Sequence, residues 1–434
     1  MNSVMFYSTN NRSLKSNLRD AVTTGLAPDN GLFMPERIPV LPDEFFAGIG
    51  KLSFVDIGMQ VARNLLGDAI PEAELRKIVE HTIQFDAPLV DVEEGIFALE
   101  LFHGPTLAFK DFGARFMSQM LGYFARQQER EITILVATSG DTGSAVANGF
   151  LGVQGTRVIV LYPSGKVSDI QERQFTTLGE NVTALEIEGT FDDCQRLVKQ
   201  AFLDEELRSE YFLTSANSIN IARLIPQSFY YFRAYAQLKD KSIAPVFSIP
   251  SGNFGNLTGG LLAQRMGLPV RKFLAATNVN DIVPAYLKTT RFEPRPSLST
   301  ISNAMDVGNP SNFARMLDLF DGDHSKMNSA IEGFAFTDDE TKAAMRNVYS
   351  QKGYLLDPHG AIGYLGLKSW DAQCRNGIFL ETAHPAKFID TVEQTLGSKV
   401  EIPLPLQKFM AREKKSLQLS AGYEDFKTFL KDNL

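Results

Sequence analysis

Between residue 96 and about residue 280, short apolar segments alternate with stretches of helical periodicity. The apolar segments are FALELF, ITILVA, RVIVLYP, VTALEIE, PVFSIP and KFLAATN. Such alternation is typical of right-handed β-α-β crossovers, which build parallel sheets covered by helices. The number of segments favours two sheets over one. We therefore predict an α/β protein with two open, mostly parallel sheets flanked by helices.

Two of the predicted strands run directly into glycine-rich turns that begin a helix. ITILVA continues into TSGDTGSA at 138–145, and VFSIP continues into SGNFGNLTGG at 251–260. Glycine lets the backbone approach an anion closely, and the helix N-terminus adds unpaired N–H groups and partial positive charge. The pair predicts two anion sites at the strand ends, although such turns also occur for geometry alone. Neither matches GxGxxG or a P-loop, which disfavours a nucleotide.

One lysine has a setting that could make it reactive. Lys110 lies in HGPTLAFKDF at 103–112, among mostly uncharged residues. Desolvation is one way to release the neutral amine that attacks an aldehyde. In a strand or tight turn, the neighbouring Asp111 would point to the opposite face. The alternative is a surface lysine at a helix start, where Asp111 favours the helix dipole.

Composition excludes several classes of protein. At 434 residues, two or three domains are expected. A net charge of −8 with a pI near 5.4 argues against nucleic-acid binding, so the ligand should be small. Cys194 and Cys374 are too few for a disulfide scaffold, and the five histidines have no ligand spacing, so no metal is expected. We find no signal-peptide pattern and no apolar run of ~18 residues, which predicts a cytoplasmic protein without membrane contact.

The two ends of this α/β region differ from it. Residues 1–95 contain IGMQVARNLLG and ELRKIVEHTI, whose apolar positions recur at helical spacing, and predict an extra helical N-terminal domain. Residues 280–330 are irregular and rich in proline and asparagine, which predicts loop and short helices over the cleft.

Six segments in order resemble the threonine synthase family. They are GLAPDNGLFMPE, FHGPTLAFKDFGARFM, ATSGDTGSA, NSINIARLIPQSFYY, SGNFGN and ETAHPAKF. The resemblance spans nearly the whole chain and is to the longer branch with an N-terminal domain. It implies the fold type II, tryptophan-synthase-like architecture of enzymes that use pyridoxal 5'-phosphate. With it we expect an N-terminal domain at 1–95, a large cofactor-binding domain at 96–117 and 216–434, and a small α/β domain at 118–215.

The resemblance also implies a reaction and a cofactor site. O-phospho-L-homoserine and water would become L-threonine and phosphate, in a monomer or small homo-oligomer. Lys110 would carry the cofactor and then move protons at the substrate's α and β carbons. The hydroxyl of Thr382 would bond the ring nitrogen. The cofactor phosphate would lie in the second glycine-rich turn, at Gly252, Asn253, Phe254, Gly255 and Asn256.

The same resemblance implies a substrate site. The first glycine-rich turn would bind the substrate carboxylate through Thr138, Ser139, Gly140, Asp141 and Thr142. Asp141 is out of place among anions, so its carboxyl should be protonated or turned away. Asn217, Ser218 and Arg223 would bind the departing phosphate, with Lys166 or Arg115 as alternatives that the sequence does not rank. His384 is expected to fix the loop rather than to catalyse.

Two other functions remain open from the sequence. A dehydratase or β-replacement enzyme of the same fold would share Lys110 and SGNFGN but would not need Arg223. Those relatives are usually shorter and lack the N-terminal segment. A non-catalytic ligand-binding homologue would not need an intact Lys110.

Overall fold

The computed structural model describes residues 4–127, 131–371 and 374–434, and all six apolar segments form strands. Residues 1–3, 128–130 and 372–373, which fall within the three predicted domains, lie outside the described residues. The strands are β1 Met5–Ser8, β2 Lys15–Asn17, β3 Phe33–Pro35, β4 Leu89–Glu93, β5 Ile96–Glu100, β6 Ile132–Ala137, β7 Thr156–Pro163, β8 Val182–Glu188, β9 Phe212–Ser215, β10 Val246–Pro250, β11 Lys272–Thr277, β12 Ile331–Ala335, β13 Gly377–Glu381 and β14 Leu417–Ser420.

Helices surround these strands. The α-helices are α1 Leu18–Thr24, α2 Asp43–Gly48, α3 Phe54–Leu66, α4 Glu72–Thr82, α5 Lys110–Ala125, α6 Asp141–Phe150, α7 Asp169–Thr176, α8 Phe191–Leu203, α9 Glu205–Glu210, α10 Ile221–Leu224, α11 Phe229–Gln237, α12 Gly255–Arg265, α13 Ile282–Thr289, α14 Phe313–Leu319, α15 His324–Ala330, α16 Asp338–Lys352, α17 Pro358–Trp370, α18 Ile389–Leu396, α19 Leu404–Met410 and α20 Tyr423–Asn433. Short 3-10 helices cover Ile49–Lys51, Ile225–Ser228, Asn303–Met305 and Pro385–Phe388.

The larger sheet has six strands in the order β12-β11-β10-β13-β5-β4. Its pairs are parallel except for β4 with β5, which are antiparallel. Strands β10, β13 and β5 are direct neighbours, so their carboxyl ends meet at one edge. The segments that follow these three ends are the SGNFGN turn, Thr382 and the segment leading to Lys110.

The smaller sheet has five parallel strands in the order β14-β8-β7-β6-β9. The prediction of two mostly parallel sheets is therefore confirmed. Strand β14, near the C-terminus, pairs with β8 in this smaller sheet. The domain boundaries remain a prediction. That prediction placed residues 216–434, and so β14, in the large domain, whereas β14 pairs within the smaller sheet. Strand β14 has only four residues, all exposed or half-buried, and so short a segment has no apolar periodicity from which the sequence could predict it.

The N-terminal region contains the expected helices, of which α3 is capped by Ser53 and packs against α4. It also contains a three-stranded antiparallel sheet, β2-β1-β3, which the sequence did not predict because its strands have only three or four residues. Residues 280–330 form a loop with α13, α14 and α15, as predicted. One continuous apolar core joins the N-terminal helices to both parallel sheets.

Helix α5 is the centre of this core. Phe116 on α5 is fully buried and meets the ring of Phe229 on α11 edge to face, with the ring centroids 5.8 Å apart. We predict that Phe116→Ala lowers stability by about 3–5 kcal/mol through the cavity it leaves, measured as a fall in the denaturation midpoint. Leu203→Ala, at a side chain 63% exposed, is the control and should change stability by less than about 0.5 kcal/mol. An equal effect of both substitutions would contradict this packing.

Candidate active site

Five segments that follow strand ends contain the predicted site residues. Those after β5, β10 and β13 of the larger sheet carry Lys110, the turn at 251–256 and Thr382. Those after the neighbouring strands β6 and β9 of the smaller sheet carry the turn at 138–142 and Asn217 with Ser218. Parallel strands present their carboxyl ends at a common edge, which is where ligands of such sheets bind. The fold therefore gathers segments that are far apart in sequence.

Lys110 is the first residue of α5, as the surface-lysine alternative expected, but its side chain is half-buried rather than exposed. Burial lowers the pKa of Lys110 to about 8, helped by Lys387 and Arg223 and opposed by Asp141. Among the described residues, its Nζ forms no hydrogen bond and no ion pair. A substantial fraction of this amine is therefore neutral near pH 8 and free to act as a nucleophile.

Asp111 does not neutralise Lys110, although the two residues are adjacent in a helix rather than in a strand. Its carboxylate accepts hydrogen bonds from the Thr106 backbone N–H at 2.9 Å and from Thr106 Oγ1 at 2.7 Å. Burial raises the pKa of Asp111 to about 6. Asp111 thus closes the turn before α5 and leaves the lysine unpaired.

The loop before Lys110 is bonded to the segment after β13. The Phe109 N–H donates to the Thr382 carbonyl at 2.9 Å, and the His384 N–H donates to the Leu107 carbonyl at 3.0 Å. Leu107 has φ +56°, a left-handed conformation that is uncommon outside glycine. His384 Nδ1 accepts from the Ala386 N–H at 3.1 Å, and burial lowers its pKa to about 4. His384 therefore fixes the loop as a neutral ring, in agreement with the sequence interpretation.

The turn at 251–256 presents the N-terminus of α12, whose N-cap residue Phe254 makes no capping hydrogen bond. The Asn253 side-chain oxygen accepts from Ser311, and the Asn256 side chain bonds Ser251, the Leu257 N–H and the Pro250 carbonyl. Both asparagines therefore shape the turn with their side chains. The groups available to an anion at this turn are therefore backbone N–H groups and the positive end of the helix dipole.

The turn at 138–142 leads into α6, whose N-cap residue is Gly140 and therefore has no side chain to cap the helix. Thr138 Oγ1 braces it by accepting from the Gly140 N–H at 2.9 Å and the Gly143 N–H at 2.8 Å. Gly140 has φ +140°, a conformation that L side chains rarely adopt. Ser139 is exposed and Thr142 half-buried, so their hydroxyls are available to a ligand.

The Asp141 carboxylate contacts a partner that the sequence analysis did not single out. Its Oδ1 lies 2.7 Å from Lys387 Nζ and accepts from Gln171 Nε2 at 2.8 Å. Burial opposes ionisation, but Lys387 and Lys110 outweigh it and hold the pKa of the Asp141 carboxyl well below its usual range. The contact with Lys387 supports the expectation that Asp141 does not bind substrate directly, and its role stays a prediction. Lys387 stands within ETAHPAKF, whereas Gln171 has no sequence signal.

Arg223 is almost completely buried, yet its guanidinium has no carboxylate partner among the described residues. It donates to the Ala216 carbonyl, its Nε has no partner, and burial lowers its pKa to about 10. Asn217 Oδ1 is likewise buried and unpartnered. A desolvated cation with unused donors is suited to an anion. Of the alternatives, Lys166 is exposed, and Arg115 is bound to the His81 carbonyl and Gln84.

Arg315 supports this region and was missed by sequence reasoning. It is fully buried and donates to the carbonyls of Phe33, Ser218 and Ile219 and to Asn312 Oδ1. Burial lowers its pKa to about 9. Arg315 thus ties β3 of the N-terminal region to the 217–219 segment. Arg315 is 96 or more residues away along the chain from its carbonyl partners, and no motif reveals such a contact.

The described residues contain no group of three or more His, Cys, Asp or Glu side chains arranged to hold a metal ion. Within residues 4–127, 131–371 and 374–434, no helix combines the length and hydropathy needed to cross a bilayer.

Three family models together match residues 5–430 of this chain. Residues 82–378 match the family described as pyridoxal-phosphate dependent enzyme, and the chain is a fold type II member of that class. Residues 5–83 match the threonine synthase N terminus, and residues 361–430 match the threonine synthase C-terminal family. The chain belongs to the threonine synthase family, as the sequence segments had indicated.

Individual relatives agree with this placement. Threonine synthase from Haemophilus influenzae is 49% identical over 89% of this chain and 90% of the relative. Threonine synthase from Escherichia coli is 46% identical over 92% and 93%, respectively. The crystal structure of the Escherichia coli protein gives a TM-score of 0.92 at 43% identity, covering 99% of this chain and 100% of that one. Pyridoxal-phosphate-bound threonine synthase from Brucella melitensis gives a TM-score of 0.94 at 36% identity, covering 99% of each chain.

Pyridoxal phosphate is the cofactor of this family, and the residues present fit it. Lys110 would supply an unpaired amine of lowered pKa for the aldehyde. Backbone N–H groups at the N-terminus of α12 would supply donors for the phosphate. Among the described residues, the nearly buried Thr382 hydroxyl forms no hydrogen bond and would be free for the ring nitrogen.

A substitution at Gly252 tests whether the turn at 251–256 binds the cofactor phosphate, because it alters the turn without removing a charged group. A Cβ at this position would lie 2.8 Å from the Met305 Cα, so the turn or the Asn303–Met305 segment would have to move. We predict that Gly252→Ala weakens pyridoxal phosphate binding by about tenfold or more, equivalent to ~1.4 kcal/mol, measured by absorbance titration of the apoprotein. Gly48→Ala, where a Cβ has open space, is the matched control. Unchanged affinity in Gly252→Ala would remove this turn from the cofactor site.

Proposed function

We propose that this chain converts O-phospho-L-homoserine and water into L-threonine and phosphate. The observation that carries the proposal is the desolvated, unpaired Lys110 amine, whose pKa is lowered to about 8. Two helices, α6 and α12, begin at glycine-rich turns that follow strands of the two sheets, and the N-cap residue of neither helix makes a side-chain capping bond. Arg223 adds a buried cation without a carboxylate partner. The site thus combines one nucleophilic base with several places for anions.

When bound, pyridoxal phosphate supplies an electron-withdrawing ring that acidifies the C–H bonds of the amino acid attached to it. Lys110 Nζ is the group that holds or moves the protons at the α and β carbons. The Thr382 hydroxyl, being uncharged, orients the ring nitrogen without forcing a proton onto it. Backbone N–H groups at Gly252, Asn253, Phe254, Gly255 and Asn256 hold the cofactor's phosphate.

The substrate has two anionic ends, and the proposal assigns a separate site to each. The carboxylate binds at the turn of Thr138, Ser139, Gly140 and Thr142, whose hydroxyls and N–H groups precede α6. The phosphate binds at Asn217, Ser218 and Arg223, where the guanidinium offers donors that the protein leaves unused. Asp141 belongs to the first turn in sequence but is engaged by Lys387, so we assign it no direct substrate contact.

A dehydratase or β-replacement activity stays the second candidate, because it would use the same lysine and phosphate turn. Arg223 favours the first candidate, since a substrate without a phosphate gives this buried cation no partner. We also propose that the enzyme works in the cytoplasm, where buried free thiols such as Cys194 and Cys374 persist, as a monomer or small homo-oligomer.

Lys110→Ala should abolish phosphate release from O-phosphohomoserine, because no other described side chain supplies an unpaired amine at the site. The measurement is a phosphate-release assay, with circular dichroism as the check that the fold is intact. Residual turnover near the wild-type rate in a folded variant would end the proposed mechanism.

Arg223→Ala should lower kcat/KM for O-phosphohomoserine. The expected loss of transition-state binding free energy is on the order of 2–5 kcal/mol, the usual effect of removing a buried charge partner. Lys166→Ala, at an exposed cation, is the comparison and should stay close to wild type. The same assay with serine and threonine separates the two candidate functions. A variant that lost serine and phosphohomoserine turnover equally would show that Arg223 does not select the phosphate.

A further inference from the structure

Lys387 is a buried lysine whose role is not explained by binding cofactor or substrate. It lies in the 3-10 helix Pro385–Phe388 with no exposed side-chain surface. Its Nζ donates to the Thr106 carbonyl at 2.8 Å and lies 2.7 Å from Asp141 Oδ1. Burying such an ion pair costs desolvation that is recovered only when the geometry is good and the remaining donors are satisfied. A pair kept at this position therefore points to a functional reason.

That reason is found in the charges around Lys110. Asp141 on α6, Lys387 and Arg223 on α10 are the charged groups that act on the amine, while Asp111 on α5 itself faces Thr106. Asp141 is the one carboxylate in this set, and its other contact is the neutral Gln171 amide. Without Lys387, the Lys110 amine would be a cation available to balance Asp141. An amine engaged in that way keeps its proton and is not a nucleophile.

The Thr106 carbonyl shows how Lys387 is held in place. This oxygen accepts from Lys387 Nζ at 2.8 Å and from Gln174 Nε2 at 3.0 Å. Thr106 also closes the turn that ends at Lys110 through its bonds to Asp111. Lys387 is thus fixed against the lysine loop on one side and against Asp141 on the other.

We propose that Lys387 is a positioning residue that occupies the Asp141 carboxylate, so that the Lys110 amine stays unpaired and free to condense with an aldehyde. By neutralising Asp141, it also lets the 138–142 turn accept an anion beside a carboxylate. The inference rests on the proposed role of Lys110 as the lysine that carries the cofactor.

The test is the pH dependence of cofactor capture by the apoprotein. The initial rate of pyridoxal phosphate uptake is followed by absorbance from about pH 6 to about pH 10, and borohydride reduction with peptide mapping identifies the modified lysine. Lys387→Met should move the midpoint upward by about one pH unit or more, because Lys110 becomes the partner of Asp141. Asp141→Asn should move it downward, because an unbalanced cation then faces the amine.

The double variant Asp141→Asn/Lys387→Met removes both charges and keeps the site neutral. We expect its midpoint within about half a pH unit of wild type, which a merely structural role for Lys387 would not produce. If Lys387→Met does not fold, an unchanged midpoint in Asp141→Asn, or a double variant whose midpoint lies about one pH unit or more from wild type, overturns the role of Lys387. Lys399→Met, at a lysine 93% exposed and paired with Glu393, is the control and should not shift the midpoint.

Three outcomes would overturn an assignment, and they can be told apart. An unchanged midpoint in Lys387→Met overturns the role of Lys387. A double variant whose midpoint shifts as far as that of Lys387→Met also overturns this role, because Lys387 would then act independently of Asp141. Modification of a lysine other than Lys110 in the wild-type apoprotein overturns the proposed function instead.

Discussion

The proposed chemistry requires the Lys110 amine to lose its proton near neutral pH. The nearby Asp141 carboxylate opposes this, because it favours the protonated amine. Burial lowers the pKa of Lys110, while Lys387 and Arg223 lower it further and Asp141 opposes them. The buried contact between Lys387 and Asp141 resolves this conflict, because it gives the carboxylate a cation other than Lys110. Lys387 and Asp141 are buried, and Lys110 is half-buried, so water screens the interactions among these charges only weakly.

The two parallel sheets explain why such a cluster forms at this place. Adjacent strands β10, β13 and β5 end at one edge and bring the phosphate turn, Thr382 and the lysine loop together. Strands β6 and β9 bring the second set of turns from the smaller sheet. Helix N-termini at these edges offer positive potential without side-chain charge, so anionic groups can bind without additional lysines. Arg315 then links the N-terminal region to the 217–219 segment.

Much of this could be predicted because it is local in sequence. Each strand of the α/β region that carries a long apolar segment was recognised, and glycine-rich turns after strands signal anion sites wherever they occur. Strand β14 and the sheet β2-β1-β3 were missed because short, weakly patterned strands depend on partners elsewhere in the chain. Lys110 stood out through its uncharged neighbours, and its place at a helix start was one of two alternatives, but the contact of Asp111 with Thr106 was not foreseen.

Local pattern and motif thus established the α/β class, the glycine turns and the lysine, since each reflects the preferences of neighbouring residues. The protonation state of Asp141, the partner of Lys387 and the isolation of Arg223 arose from folding. Asp141 and Lys387 are 246 positions apart, and their 2.7 Å contact exists because α6 and the Pro385–Phe388 helix meet in the core. Charge interactions depend on distance and desolvation, and neither quantity is written in the order of the residues.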